Sequence, residues 1–246
     1  MGKKYFTLSF DDGLEQDKRV IRLMRQYGLK GTFNLNAGLF GTRGEVKGLG
    51  TFSFQDCPEG VKHKWPFSYV QHNRIPQDEV CQVYEGMEIA THGFRHEPLG
   101  VVSEDEMRAS VDADKAALEK IFGTTVVGHA YAQGSTSPAA QAYLKAQGYQ
   151  YARVVFPSGG FAFPEDPMNF RPSSSLILKN AAKLVERFKC EEPGEKDLLL
   201  FLWAHSYEMD YEKGNASWYA LERLFESIAG RSDIVYCTNS EAFAHI

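Results

Sequence analysis

The chain lacks an excess of basic charge, a cysteine framework, a long apolar run and any low-complexity tract, and each absence removes a class of function. Its 27 Lys and Arg face 32 Asp and Glu across 246 residues, a formal net charge of −5. That leaves no electrostatic footprint for nucleic acid or for an anionic membrane surface. No apolar stretch approaches the roughly 20 residues of a membrane span. The apolar run at 5–10 is too short for a signal-peptide core and lacks a small-residue cleavage site. A cytoplasmic location is the expectation, although a chain trimmed of an export signal would read the same. The four cysteines, Cys57, Cys81, Cys190 and Cys237, show no CxxC pairing. They read as free buried thiols, neither staples nor metal ligands.

What remains is the composition of a globular protein with a sizeable core, 43% hydrophobic and 24% charged. Short β-rich runs recur at 5–10, 31–35, 87–91, 126–131, 149–156, 198–204 and 234–237. Helical spacing fills most of the gaps. Val20, Leu23, Met24 and Tyr27 form one stripe closed by Gly28, and Met107, Val111, Leu118, Ile121 and Phe122 form another. Ser103 with Glu106 predicts a capping box, Ser137-Pro138 an N-cap with proline in the first turn, and Gly230 the end of a stripe beginning at Trp218. Strand–helix alternation of this kind predicts a parallel sheet wrapped by helices, as a barrel or as an open doubly wound sheet, in one domain over 1–246. Residues 38–77 break the rhythm as a long aromatic-rich insertion after the second strand, with Phe40, Phe52, Phe54, Trp65, Phe67, Tyr69, His63 and His72. Such a connection either rims a site or packs on the outside of the barrel.

In parallel sheets functional side chains gather at the carboxyl ends of strands. Asp11-Asp12-Gly13 ends the first run, and His92-Gly93-Phe94-Arg95-His96 follows the third. A carboxylate and two imidazoles can hold one Zn²⁺-type ion and leave a position open, whereas structural zinc sites are closed and cysteine-rich. The glycine permits a turn that brings both carboxylates into the site, one to bind metal and one to take a proton. The His92–His96 spacing of four puts both rings on one side of a helical turn. His205 ends the 198–204 run and offers a general acid with an ordinary pKa near neutrality.

With these residues assembled, the chain resembles the polysaccharide deacetylases of the NodB-homology type, the fourth carbohydrate esterase family. Thr7-Leu8-Ser9-Phe10-Asp11-Asp12-Gly13 is similar to the family's first motif, Thr91-His92-Gly93-Phe94-Arg95-His96 to its second, and Trp203-Ala204-His205 to its last. The resemblance implies a distorted (β/α)7 barrel and a metal-dependent hydrolase that removes acetyl from an N-acetylated sugar. It also implies roles: Asp11 as general base, His205 as general acid, and Asp12, His92 and His96 as ligands of a divalent ion, Zn²⁺ in the first instance with Co²⁺ or a similar ion as the alternative. A carbohydrate or other small-molecule amide is the implied partner.

Two motifs depart from the family. Where its third motif carries an Arg that orients the base, this chain reads Val126-Val127-Gly128-His129-Ala130-Tyr131, leaving Tyr131 as a substrate wall or donor and His129 as a possible site neighbour. Arg153, at the end of the next strand, is a candidate for the missing cation. The fourth motif, an Asp and Trp pair, has only Asp166 as a poor substitute, and Glu208 is near His205 in sequence. These departures keep two alternatives open: a related hydrolase of ureido or cyclic amide compounds, and a catalytically impaired carbohydrate-binding protein of the same fold.

Overall fold

A computed structural model of the chain describes residues 2–51 and 67–244. In chain order the elements are β1 (Lys4–Asp11), α1 (Asp17–Gln26), β2 (Gly31–Leu35), β3 (Glu45–Thr51), β4 (Phe67–Gln71), α2 (Val80–Val83), β5 (Glu88–Thr91), α3 (Glu104–Phe122), β6 (Gly128–Ala130), α4 (Pro138–Ala146), β7 (Tyr151–Arg153), β8 (Ser174–Ser175), α5 (Ala181–Cys190), β9 (Leu198–His205), α6 (Trp218–Ile228), β10 (Ile234–Tyr236) and α7 (Asn239–Phe243). Seven strands run in the order β7-β6-β5-β2-β1-β9-β8, all pairs parallel, and β10 joins the amino-terminal half of β1. The sheet curls until segment 170–175 touches both of its ends. Phe170 bridges Arg153 of β7 while β8 pairs with β9. This is the distorted (β/α)7 barrel, and it decides the choice that strand–helix alternation left open.

Alternation along the strands sorts side chains between two compartments. From β1 and β9, Phe6, Leu8, Phe10, Leu200, Leu202 and Ala204 pack outward against α1 and α6 residues such as Val20, Met24, Leu221 and Phe225. The intervening residues face inward, Tyr5, Leu199, Phe201 and Trp203 among them, joined by Tyr151, Phe170 and Phe243. Phe243 of α7 plugs the amino-terminal end of the barrel, stacked on Tyr151 at 5.0 Å and edge-on to Phe170 at 5.2 Å. Above that plug the interior turns polar. Thr7 Oγ1 donates to Asn239 Oδ1 at 2.7 Å, and Asn34 Nδ2 donates to Ser9 Oγ at 2.8 Å. A buried polar layer of this kind persists only when hydrogen-bonded, and here it floors the site.

The capping box of α3 forms as expected, with Ser103 Oγ accepting from the Glu106 amide and Gly123 closing the helix in left-handed conformation at φ 64°. Ser137 caps α4, with Pro138 in the first turn. The two-residue β8 has no signature in the sequence because it is too short to show alternation. Within 38–77 the described parts form an antiparallel hairpin, β3 against β4, which packs over the 3-10 turn Ser206–Tyr211 that follows β9. Phe52, Phe54, His63 and Trp65 lie outside the described residues, as does Cys57. The expectation of buried thiols holds for Cys237 only, since Cys81 and Cys190 are exposed. Both sit on short or terminal helical turns whose outward face no periodicity argument singles out. Among the described residues no helix is long and apolar enough to cross a membrane.

Candidate active site

Asp11 is the last inward residue of β1, and strand register sets its neighbours. It pairs with Asn34 on β2 and with His205 on β9. Asn34 Nδ2 donates to Asp11 Oδ1 at 2.7 Å. From the far side of the curled sheet, Arg153 Nη2 donates to Oδ1 at 2.5 Å and to Oδ2 at 2.7 Å. Both partners are about 1% exposed, and the guanidinium lies 4.6 Å from the Trp203 ring centroid. Burial pushes the Asp11 carboxyl up, but Arg153 and the nearby His92 and His205 outweigh it and hold the pKa below its ordinary value.

Asp12 leaves the strand in left-handed conformation, φ 82°, followed by Gly13 at φ 71°. A non-glycine residue held there is strained and is retained only when its surroundings over-determine it. That turn points its carboxylate away from Asp11 and toward the second strand end. Asp12 Oδ1 lies 3.9 Å from His92 Nε2 and 3.8 Å from His96 Nε2. These separations are too long for hydrogen bonds. The three donor atoms all lie within 4.8 Å of one another. The two imidazoles do not meet through a helix, as spacing alone suggests. They sit on a loop turned by Gly93 at φ 81° and His96 at φ 64°, with the His96 amide donating to Gly93 O at 3.2 Å. The loop is shaped from below: Asp114 of α3 accepts from the amides of Ala37 and His92, and Asn36 Nδ2 donates to the carbonyls of His92 and Gly93.

The His92 tautomer follows from its partners. Its Nδ1 lies 2.6 Å from Ala130 O, which can only accept, so Nδ1 carries a proton and the neutral ring would present its lone pair at Nε2. That buried Nε2 has no hydrogen-bond partner among the described residues. An unsatisfied buried acceptor beside a carboxylate held well below its ordinary pKa fits an ion, because such atoms otherwise cost the desolvation of a lone pair. Burial opposes the lowered Asp12 pKa and is outweighed by hydrogen bonding to His72 and by His205, His92 and Arg74. Burial and His92 push His96 down to about 4, so it is neutral near pH 7, as a ligand must be.

His205 closes the group from β9. Its Nε2 lies 4.0 Å from Asp12 Oδ2, and its Nδ1 lies 3.6 Å from Glu208 Oε1. Glu208 also accepts from the His205 amide at 2.9 Å through Oε2. Burial works against protonation of His205, yet the Glu208 carboxylate, Asp12 and Asp11 prevail and push its pKa up to about 9. The side chains of His96 and His205 are 26% and 20% exposed, against 2% for His92, so the open mouth lies between those two rings.

Of the other residues singled out from sequence, Tyr131 is fully buried and its hydroxyl is committed to Met168 O at 2.8 Å. The structure therefore does not bring it to the open mouth. His129 is buried as well, its Nδ1 2.8 Å from Thr91 Oγ1. Asp166 caps its own 3-10 turn through the Met168 amide and takes no part in the site. Sequence reasoning missed Asn34, His72, Arg74 and Asp114. His72 Nε2 lies 3.0 Å from Asp12 Oδ2, and Arg74 Nη2 lies 3.2 Å from Oδ1. Only Asn34 carries a readable signal, a polar residue on the inward face of β2 near its carboxyl end.

Fold and site together define a distorted (β/α)7 barrel with an Asp-His-His group at its strand ends that could hold a metal ion. Residues 1–152 match the family described as polysaccharide deacetylase. The match takes in more than half of the chain, and the chain belongs to that family. Three solved structures show how far the fold extends. The Xyl-CE4 domain of a multidomain xylanase from the hindgut metagenome of Trinervitermes trinervoides is 15% identical, with 99% of this chain and 91% of that one covered and a TM-score of 0.54. A family 4 acetyl xylan esterase from Clostridium thermocellum, in complex with a cobalt ion, is 15% identical, with 98% and 91% covered and a TM-score of 0.53. A CE4-family pseudoenzyme from Bacillus anthracis is 14% identical, with 98% and 66% covered and a TM-score of 0.57. At such identities the likeness is one of fold. No curated protein matches the chain.

Proposed function

We propose that this protein is a metal-dependent deacetylase acting on an N-acetylated sugar, with Asp12, His92 and His96 as the metal ligands. The observation that carries the reading is the unpartnered Nε2 of His92, buried and facing Asp12 and His96 across gaps too long for hydrogen bonds. Two imidazoles and a carboxylate suit Zn²⁺ first and Co²⁺ second. When bound there, a divalent cation supplies Lewis acidity toward a carbonyl and acidity toward water.

The chain's own residues account for the proton transfers. Asp11 is ionised at neutral pH, is oriented through both oxygens, and takes the proton of the attacking water. Arg153 and Asn34 orient that base, Arg153 doing so from a strand that the family's third motif does not use. His205 is protonated at neutral pH and presents Nε2 to the site, with Glu208 behind Nδ1. An amine is a poor leaving group until protonated, and His205 supplies that proton.

The test is metal content and acetate release from N-acetylated sugars on wild type, His92→Ala and Asp11→Asn. Wild type should bind about one ion per chain and release acetate. Two protein ligands hold an ion poorly, so His92→Ala should lose it, while Asp11→Asn should keep it and lose turnover. No ion under any loading would end the reading. Bound ion without acetate release would turn it toward ureido or cyclic amide substrates, or, if those too are untouched, toward a carbohydrate-binding protein without turnover.

A further inference from the structure

We propose that His72, carried on the root of the β3–β4 hairpin, is a positioning residue for the metal site: it fixes the Asp12 carboxylate so that Oδ1 is turned toward His92 and His96. The inference rests on the proposed metal site and extends it to a residue 60 positions from Asp12 that no motif predicts.

The first observation is division of labour between the two carboxylate oxygens. Oδ2 faces His72 Nε2 at 3.0 Å, while Oδ1 faces the two imidazoles at 3.9 and 3.8 Å and accepts from Arg74 Nη2 at 3.2 Å. An ionised carboxylate only accepts, so His72 Nε2 carries the proton. At His92 the ring is turned the other way, with Nδ1 donating to Ala130 O and Nε2 without a partner among the described residues. The two histidines therefore do different work, one offering a lone pair to an ion and the other donating to a ligand. With Arg74 Nη2 on Oδ1, the His72 bond to Oδ2 is the second hold that stops the carboxylate from rotating about its Cβ–Cγ bond, and outer partners of this kind commonly set metal affinity.

The second observation is that the hairpin root is stitched to the turn it serves. The Ile75 amide donates to Gly13 O and the Glu15 amide to Asn73 O, both at 2.9 Å. Leu14 and Arg74 form an antiparallel bridge, and Arg74 Nε donates to Asp12 O at 3.2 Å. These bonds bracket the left-handed Asp12 and over-determine its strained backbone. His72 is held in turn by its amide on Gly44 O at 2.8 Å, and its ring stands edge-on to Tyr207, 5.0 Å between centroids. Of the two readings of the 38–77 insertion, a rim to the site or packing on the outside of the barrel, the position of His72 favours the first, and there it supplies the second clamp of the proposed metal ligand.

The experiment is the Co²⁺ and Zn²⁺ dissociation constant, by competition with a chromophoric chelator, for wild type, His72→Phe and His72→Gln. Phenylalanine keeps a ring against Tyr207 and removes the donor; glutamine can keep an N–H on Asp12 Oδ2. His72→Phe should weaken binding about 10- to 100-fold with the metal-free melting temperature unchanged, and His72→Gln should recover most of that loss. Unchanged affinity in His72→Phe would overturn the proposal, and so would equal losses in both variants. Should His72→Phe lower the metal-free melting temperature, His72→Gln alone decides: near wild-type affinity supports the positioning role and a 10-fold loss refutes it. A wild type that binds no ion would instead be the failure of the metal site itself.

Discussion

Arg153→Met isolates the most consequential contact in the barrel. Methionine keeps an unbranched stem beside Trp203 and removes the guanidinium that grips both oxygens of Asp11. Among the described residues Asp11 then retains only the Asn34 amide on one oxygen, in a position about 1% exposed. Breaking one partner of a buried pair strands the other charge and costs about 3–5 kcal/mol. With a urea dependence near 3 kcal/mol per M, that loss lowers the unfolding midpoint by roughly 1–1.7 M. Adding Asp11→Asn removes the stranded charge, so the double variant should regain about 2 kcal/mol relative to the sum of the single losses. The pH dependence has a definite sign. The folded Asp11 pKa is lowered, so the stabilisation from the pair is fully present above the unfolded value of about 3.9 and is lost as pH falls through the folded value. The deficit of Arg153→Met should accordingly be full at pH 7 and shrink toward acid. Urea titrations of metal-free protein at pH 7 and at about pH 3 measure both effects. A single variant within about 0.5 kcal/mol of wild type, or a double variant equal to the sum, would refute the reasoning.

Two further outcomes follow from the other titrating groups. Glu208→Gln removes the carboxylate 3.6 Å from His205 Nδ1, so the basic limb of the pH–rate profile should move to lower pH with bound metal unchanged; an unmoved limb would separate Glu208 from the acid. Asp17, buried with its Oδ2 on the Leu14 amide and the Tyr84 hydroxyl, is pushed up to about 7 by burial. A raised carboxyl contributes stability that is present below about pH 3.9 and lost as pH rises through about 7. Asp17→Asn should therefore flatten the fall in stability between those values, measured by urea titration at pH 5 and pH 8.

Much of the site could be read from residue types at strand ends. Alternation along β1 and β9 already assigns the two faces, and it places Asp11 and His205 at the carboxyl ends of their strands, where a parallel sheet gathers chemistry. His92 and His96 were recognisable as a pair, but the physical reason offered for their meeting, helical spacing, was not the one the molecule uses. Left-handed Gly93 and His96 turn a loop instead. Arg153 was a candidate from position alone.

What the amino-acid order determines by itself is local: which runs are strands, which faces are apolar, where helices start at Ser103 and Ser137, and which polar residues terminate strands. The curl of the sheet is not local. It brings Arg153 on one edge to Asp11 four strands away, across 142 residues of chain, and a pattern of period two carries no information about which strands face each other across a barrel. The same holds for His72, whose place beside Asp12 depends on a hairpin folding back onto the loop after β1. Its neighbours in sequence form no motif because its role is to act on a residue that does. Tertiary structure also decided the conformation of Asp12, since a left-handed aspartate is strained in isolation and persists only because Arg74 and the surrounding backbone hold it there.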